Sequence, residues 1–473
     1  MKKFKNLVSF FMAAVLIASM FLMSGTALAA EDPAIEAKSA ILVEVGSGEV
    51  LYDLNANEIL EPASTTKIMT LLLAVEAIES GDLAEDDMII ISENATANLP
   101  AGSSTAELTP GEEISMLNLL YCAALSSANE GCNAIAEAVS GSIDVFVRQM
   151  NARAKELGCE NTKFVNPHGL SADGHYTTAY DLYLMLNEAY KHELFVKITG
   201  TSVYTVPSTN AHIQRSLTNT NKLIDKNSDY YYENVKCGKT GSTDAAGYCL
   251  ATVANDSKLT LISVVMGAEY KSTDNGGKIY QHFSESRRLL EWGFNNFSYR
   301  YILDTSNLLA EVPILMGEGS DSVVLHPEES ITLLVENTVT PDDDITYDIT
   351  VYSEENDEDL VAPVSAGDVL GEVEVFYKGE SQGVVKLIAN STVPLLRTEY
   401  LKAEFGEALS SGWIRGAIFF IIIVLVLYIG YVVYYNIAVA SKKKSASTAA
   451  AVAEFGNETE GHREKTTTGK KVK

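Results

Sequence analysis

The stretch STTKIMTLLLAV, residues 64–75, decides how this sequence is interpreted. Its apolar residues recur with a helical period, which predicts a helix that begins near Ser64. Ser64 and Lys67 are three positions apart, so both side chains lie on one face of that helix. A serine hydroxyl is a weak nucleophile unless a neighbouring base accepts its proton, and a neutral lysine can be that base. The stretch therefore predicts a serine nucleophile activated by a lysine.

Two further short motifs follow along the chain. Ser127-Ala128-Asn129 lies between two helical patterns, and Lys239-Thr240-Gly241 ends a strand pattern. Each match is weak by itself, because patterns this short recur by chance in a chain of 473 residues. The order of the three motifs and the predicted element around each one favour a serine acyl-transferase.

Strand patterns stand on both sides of the helical ones. A hairpin is predicted over residues 40–52, and the later strands and a closing helix over 232–239, 247–253, 260–266 and 284–294. Helices are predicted between them, over 115–125, 128–139, 143–157 and 179–190. This order predicts an α+β domain at residues 31–298 in which the first and last strands share one antiparallel sheet. Short strand patterns at 299–393 predict a separate all-β domain.

Both ends of the chain carry apolar segments. Residues 1–30 begin with lysines and end on small residues after an apolar run, which predicts a signal peptide. Residues 416–440 contain no charge and are long enough to span a membrane, with 394–415 as a membrane-proximal connector. Because positive charge is densest after this span, the tail at 441–473 is predicted to be cytoplasmic and disordered, and the domains before the span extracellular. A buried core helix is the alternative for residues 416–440.

Composition excludes several classes of partner and site. The formal net charge of −28 repels nucleic acid, so no nucleic-acid partner is expected. The sequence has neither a His-Glu-x-x-His motif nor paired Cys-x-x-Cys motifs, so no metal and no cofactor are expected. Five cysteines leave at least one thiol unpaired. Cys237 and Cys249 are equidistant from Thr243, so a hairpin centred there would let them face each other, either as a cross-strand disulfide or as two buried residues.

Further stretches carry a resemblance to a known family. These are NTKFVNPHGL at 161–170, HYTTA at 175–179, TNTNKL at 218–223, AGY at 246–248 and APV at 362–364. Together with the three motifs, they resemble the D-alanyl-D-alanine carboxypeptidases, the low-molecular-mass penicillin-binding proteins, over about residues 34–400. The resemblance implies the penicillin-binding-protein and β-lactamase-like fold, hydrolysis of peptidoglycan stem peptides, and covalent binding of β-lactam antibiotics. It names no protein partner.

The resemblance also implies a role for each motif residue. Ser64 is the nucleophile, Lys67 is its base, and Ser127 relays a proton to the departing amine. The substrate is bound by Asn129 and by the strand that contains the third motif, through Lys239, Thr240, Gly241 and Ser242. In this scheme Lys239 and Thr240 bind the terminal carboxylate, and the backbone N–H groups of Ser64 and Ser242 hold the oxyanion.

Alternatives remain open at this point. The same chemistry serves an endopeptidase that cleaves cross-links, a β-lactamase shares the motifs, and a non-enzymatic protein would be a wall-binding scaffold. A Ser-His-Asp site would use His168 or His175 as its base. Many members of the family carry an arginine before the final helix of the catalytic domain, but residues 279–283 contain none. Carboxylate recognition is therefore expected from Lys239 and Thr240 alone, with Arg287 and Arg288 solvated on the closing helix.

Overall fold

The computed structural model describes residues 31–273, 277–339 and 344–458, with side chains described as far as residue 448. The predicted signal peptide at 1–30 and the end of the tail at 459–473 lie outside these described residues. The described chain divides into two compact units. The first continues to Leu303 and also includes Ile331–Thr346 and Phe376–Glu380. The second comprises Asp304–Ser330, Tyr347–Val375 and the chain from Ser381 onward.

A five-stranded antiparallel sheet forms the centre of the first unit, in the order β2-β1-β9-β8-β7. Its strands are β1 Ser39–Glu44, β2 Val50–Leu54, β7 Val235–Thr243, β8 Gly247–Asn255 and β9 Thr260–Ala268. The prediction that the first and last strands share one sheet is confirmed, because β1 pairs with β9. Strand β7 lies at an edge, so one side of its backbone is free of ladder pairing.

Two-stranded sheets complete the strands of the first unit. They pair β3 Met88–Ile90 with β4 Glu113–Ser115, β5 Val203–Val206 with β6 Arg215–Thr218, β10 Tyr270–Ser272 with β11 Lys278–Tyr280, and β12 Phe297–Leu303 with β15 Ile331–Glu336.

The helices of the first unit pack around α1, Lys67–Glu79, which follows a 3₁₀ turn at Ala63–Thr66. The others are α2 Glu93–Thr96, α3 Met116–Leu125, α4 Asn129–Ser140, α5 Ile143–Glu156, α6 Ala179–Tyr190, α7 Glu193–Thr199 and α8 Gln281–Asn296. Nearly every residue of α1 from Lys67 to Val75 is buried, which agrees with a sequence that is apolar on all sides. The α+β fold class predicted from the sequence is confirmed.

The β7–β8 hairpin differs in register from the sequence prediction. Thr243 pairs with Gly247, which adopts a φ of 69°, so the turn lies at residues 244–246 instead of at Thr243. This register places Cys237 opposite Val253 and not opposite Cys249. This register excludes the cross-strand disulfide, and both cysteines are separate, buried residues, which was the other of the two alternatives. The other three cysteines are also buried and unpaired.

The second unit combines strands with two C-terminal helices. Its sheet has the order β13-β14-β18-β17-β16, with bounds Ala310–Pro313, Ser322–Pro327, Glu380–Ala389, Val369–Tyr377 and Ile345–Val351. A short helix, α9 Tyr352–Glu355, follows β16, and α10 Arg397–Ser410 precedes α11 Gly412–Glu458. Within α11, residues 412–448 are long and apolar enough to span a membrane.

The tail differs from its prediction where it is described. Helix α11 continues to Glu458, whereas a disordered segment was expected from Ser441. Five alanines between residues 446 and 453 account for the difference, because alanine has the highest helix propensity of all residues.

Candidate active site

Ser64 and Lys67 meet at the start of α1, as the spacing predicted. The Nζ of Lys67 lies 2.9 Å from the Oγ of Ser64. The same Nζ lies 2.9 Å from Oδ1 of Asn129, at the first position of α4, and 2.6 Å from the carbonyl oxygen of His168. The contact with Asn129 was not predicted, because the sequence assigned Asn129 to the substrate.

These three contacts define the direction of the lysine lone pair. The carbonyl oxygens of Asn129 and His168 can only accept hydrogen bonds, and a neutral amine has two N–H groups to donate. If both are donated to these oxygens, the lone pair of Lys67 points at the hydroxyl of Ser64. The arrangement therefore suits a base that accepts the proton of Ser64.

Burial lowers the pKa of this amine toward neutral pH. Lys67 has no solvent-exposed surface, and this burial lowers its pKa to about 8. Lys239 is also buried, and burial together with the neighbouring charge of Lys67 lowers its pKa to about 7. Desolvation is therefore the first cause of the lowered pKa in both lysines.

Strained backbone surrounds the nucleophile. Ala63, directly before Ser64, has a φ of 48°, and Ser127 has a φ of 57°. Residues other than glycine rarely adopt this left-handed conformation, and it occurs preferentially at functional sites. Gly169 has a φ of 88°, and a β-carbon there would overlap the carbonyl oxygen of Ala63. The chain at 167–169 therefore packs directly against the turn that carries Ser64.

The edge of the sheet approaches the same turn. A β-carbon on Gly241 would lie 2.9 Å from the carbonyl oxygen of Pro62 and from the backbone nitrogens of Ser64 and Thr65. A contact this close is possible only for glycine. Gly241 therefore lets β7 lie against the nucleophile, and the N–H of Ser242 follows on the same strand.

A cavity of about 620 Å³ opens over these residues. Five of the predicted site residues line it: Ser64, Ser127, Thr240, Gly241 and Ser242. The remaining three, Lys67, Asn129 and Lys239, are buried behind its wall. The Nζ of Lys239 lies 3.1 Å from the carbonyl oxygen of Thr240.

Ser127 is unusual among the residues that line the cavity. It is 3% exposed, and its Oγ has no hydrogen-bond partner among the described residues. Thr240 differs, because its Oγ1 lies 2.6 Å from the Oγ1 of Thr220. A buried hydroxyl without a partner is costly unless a ligand supplies one, so the hydroxyl of Ser127 is available to a substrate.

The sequence did not predict the far wall of the cavity. It is formed by the loop at 225–230 and by aromatic and basic side chains around the start of α8, which are Tyr248, Lys278, Tyr280, His282 and Phe283. None of these residues belongs to one of the three motifs. The missing arginine at residues 279–283 was the one sequence signal that pointed to this region.

The two histidines considered as bases do not contact the nucleophile. The ring of His168 accepts a hydrogen bond from the backbone N–H of Leu170, and that of His175 is bonded to Thr66 and Val165. Burial lowers the pKa of His168 to about 3 and that of His175 to about 4, so both are neutral. The structure therefore does not support the alternative Ser-His-Asp site.

One group of possible metal ligands occurs among the described residues, away from the cavity. It consists of Glu76, Glu188 and His192. Arg153 lies 2.7 Å from a carboxylate oxygen of Glu76 and 2.8 Å from one of Glu188. Arg153 pairs with both carboxylates and Lys191 also pairs with Glu188, so these ion pairs account for the clustering of the carboxylates.

Comparison with sequence families gives two matches. The family described as D-alanyl-D-alanine carboxypeptidase matches residues 26–270, and the family described as penicillin-binding protein 5, C-terminal domain, matches residues 297–395. The D-alanyl-D-alanine carboxypeptidase DacF of Bacillus subtilis is 35% identical over 346 residues, which is 73% of this chain and 82% of the relative. The D-alanyl-D-alanine endopeptidase of Escherichia coli is 31% identical over 62% of this chain and 89% of its own length.

Solved structures agree with these matches. Penicillin-binding protein 5 from Haemophilus influenzae has a TM-score of 0.55 and 28% identity, covering 77% of this chain and 99% of its own. Penicillin-binding protein 6B from Escherichia coli has a TM-score of 0.57 and 26% identity, covering 76% of this chain and 98% of its own.

Proposed function

This chain belongs to the D-alanyl-D-alanine carboxypeptidase family, and we propose that its cavity removes the terminal D-alanine of peptidoglycan stem peptides through an acyl-enzyme at Ser64. The observation that carries the proposal is the contact between Lys67 and Ser64 at 2.9 Å, with the other two contacts of Lys67 directed at carbonyl oxygens. The chain is accordingly a serine-type hydrolase.

Acylation moves one proton from Ser64 to Lys67 and then to the departing amine. The Oγ of Ser64 attacks the carbonyl carbon between the two D-alanines, and its proton passes to Nζ of Lys67. The oxyanion that forms is stabilised by the backbone N–H groups of Ser64 and Ser242, which Gly241 allows to lie close together. The carbon–nitrogen bond then breaks, and the proton held by Lys67 passes through the hydroxyl of Ser127 to the departing amine, which leaves Lys67 neutral again.

Deacylation completes the cycle. A water molecule attacks the ester carbonyl, its proton passes to Lys67, and the oxygen of Ser64 leaves and is reprotonated. The free edge of β7 supports binding of an extended peptide, because such an edge can pair with one additional strand. Thr240 on this edge and Asn129 beside Lys67 remain the proposed polar contacts of the substrate, with the stem peptide and β-lactams as ligands.

The chain ends support a membrane-anchored enzyme. We place the catalytic domain at 31–298 and the β domain at 299–393, both outside the cell after cleavage of the signal peptide. Residues 416–440 of α11 form the anchor, and Lys442 to Lys444 keep the tail on the cytoplasmic side.

Two measurements test the proposed function. Incubation of the soluble ectodomain with a synthetic stem pentapeptide should release one D-alanine, detected by mass spectrometry. Incubation with penicillin should add its mass to the protein at Ser64, and Ser64→Ala should not be modified. An equal adduct on Ser64→Ala would refute the nucleophile, and rapid turnover of penicillin would indicate a β-lactamase.

Cleavage of cross-links is a second candidate activity. It is favoured by the 31% identity to an endopeptidase and by a cavity that continues past Thr240 to the start of α8. Mass spectrometry after incubation with a cross-linked dimer distinguishes the two activities, because an endopeptidase cuts the dimer into two stem peptides and a carboxypeptidase only trims its free end.

A further inference from the structure

The peptide substrate ends in a carboxylate, and the cavity must supply a partner for it. The expected partner, Lys239, is 1% exposed, does not line the cavity, and directs its Nζ to the carbonyl oxygen of Thr240. Among the described residues that line the cavity, three have a basic side chain: Lys222, Lys278 and His282.

The two lysines already have partners. The Nζ of Lys222 lies 3.4 Å from a carboxylate oxygen of Asp225. The Nζ of Lys278 lies 4.1 Å from the ring centroid of Tyr270, a distance typical of a cation–π contact. His282 is therefore the basic side chain in the wall that has no polar partner among the described residues.

His282 is held rigidly. It is 4% exposed, and its ring stacks on that of Tyr248 with centroids 5.2 Å apart and an interplanar angle of 13°. The ring centroid of Phe283 lies 3.9 Å from that of His282. The Nδ1 atom of His282 is buried and has no hydrogen-bond partner. Because Nδ1 itself is not accessible, a ligand acts on this ring through its charge, and a negative charge beside the imidazole stabilises its protonated form.

The start of α8 adds a second attraction for an anion. His282 is the second residue of this 16-residue helix, whose N-cap Tyr280 makes no side-chain capping bond. The first turn contains no acidic residue that could neutralise the helix dipole. The N–H groups of Tyr280 and Gln281 are donated to Tyr230 and to the carbonyl oxygen of Glu269, so the attraction for a carboxylate comes from the positive end of the helix dipole, where His282 lies.

We propose that His282 and the N-terminus of α8 recognise the C-terminal carboxylate of the peptide substrate, in place of Lys239. This inference rests on the proposed function, because it assigns a site to one end of the proposed substrate. The groups packed against His282 are Tyr248 from β8, Tyr280 and Phe283 beside it, and Lys278 lines the same cavity. None of these groups is an acid; the two acids that line the same cavity are Asp225, whose carboxylate lies 3.4 Å from Nζ of Lys222, and Asp229.

The affinity of this site for a carboxylate should depend on pH. Burial lowers the pKa of His282 to about 3, so the empty site holds a neutral imidazole. A bound carboxylate opposes this lowering, so binding of the free acid takes up protons and strengthens as pH falls. A C-terminal amide carries no charge and has no such dependence on His282.

The experiment compares an N-acylated L-Lys-D-Ala-D-Ala peptide with its C-terminal amide. We expect His282→Gln to lower kcat/KM for the acid about tenfold relative to the amide, the fold-change of one hydrogen bond. Lys278→Gln is the matched control from the same wall and should change the ratio less than twofold. The melting temperature and the final extent of acylation by penicillin verify that each variant is folded.

A binding measurement separates this inference from the proposed function. In the Ser64→Ala background no acyl-enzyme forms, and calorimetry measures the affinity of each peptide directly. His282→Gln should remove most of the preference for the acid, and the preference of the parent should grow as pH falls. The inference is overturned if His282→Gln weakens acid and amide equally or leaves both unchanged, or if Lys278→Gln has the larger effect. If wild-type protein instead binds the acid selectively and releases no D-alanine, the proposed function fails while the carboxylate site stands.

Discussion

A β-carbon on Gly241 would lie 2.9 Å from the backbone nitrogen of Ser64. Glycine is thus required at the third position of the Lys-Thr-Gly motif because the sheet edge and the nucleophile turn meet backbone to backbone. The two backbone donors proposed for the oxyanion belong to these two segments, so their separation depends on this contact.

The Gly241→Ala substitution should therefore slow acylation more than it destabilises the fold. The added methyl group would push β7 away from Ser64, and loss of one oxyanion donor typically costs about 100-fold or more in rate. The rate of penicillin addition, followed by intact mass, measures this effect. Gly406→Ala is the control, since a β-carbon at Gly406 meets open space and should leave the rate unchanged. Equal rates for the two variants would contradict the role of the contact.

The rate of acylation should follow the protonation of Lys67. Because the neutral amine is the base and its pKa is about 8, kcat/KM should rise about tenfold per pH unit below pH 8 and level off above it. Lys67→Arg should lose acylation at every pH, because a guanidinium stays protonated. A wild-type profile that is flat between about pH 6 and 9 would argue against a lysine base.

Asn129 should affect the pH dependence of kcat/KM. Its Oδ1 accepts a hydrogen bond from Lys67, so Asn129→Asp would place a negative charge 2.9 Å from the amine and raise the pKa of Lys67. We expect the rising limb of kcat/KM to move to higher pH, with slower acylation at pH 7. Asn118→Asp on α3 is the matched change of charge, because Asn118 accepts a hydrogen bond from Tyr204 and does not contact Lys67. A similar shift in both variants would point to a general effect of charge.

Truncation after Ser411 should release a soluble and active ectodomain. The cut lies between α10 and α11, so it removes the apolar span and leaves the catalytic unit intact. Fractionation of cells and acylation by penicillin measure the two properties. Protease added outside intact cells reports the orientation, and removal of the tail with the catalytic unit protected would invert the proposed topology.

The sequence predicted the parts of the site that depend on local spacing. Ser64 and Lys67 meet because a three-residue separation in a helical turn fixes their geometry, whatever the rest of the fold does. Regular apolar periods located the helices from α3 to α6 to within a few residues. The β7–β8 turn was misplaced because its position depends on Gly247, a residue whose positive φ the sequence pattern did not signal.

Contacts between distant segments could not be predicted in this way. The carbonyl oxygen of His168 reaches Lys67 from a loop about 100 positions later in the chain. Every residue type has a backbone carbonyl, so a sequence motif cannot indicate which carbonyl accepts a hydrogen bond. His282 was missed for a related reason, since only the packing against Tyr248 and Phe283 shows that its ring is both buried and without a polar partner.

Burial of the five cysteines affects how their thiols react. Burial raises their pKa values to between about 11 and about 12, so the thiolate form that reacts with oxidants or alkylating reagents is scarce in the folded chain. Folding then requires no disulfide-forming machinery, and the native state needs no reductant to protect it. Each thiol becomes reactive only when the structure around it unfolds locally. The rate at which an alkylating reagent modifies each of the five cysteines therefore measures local unfolding at that position.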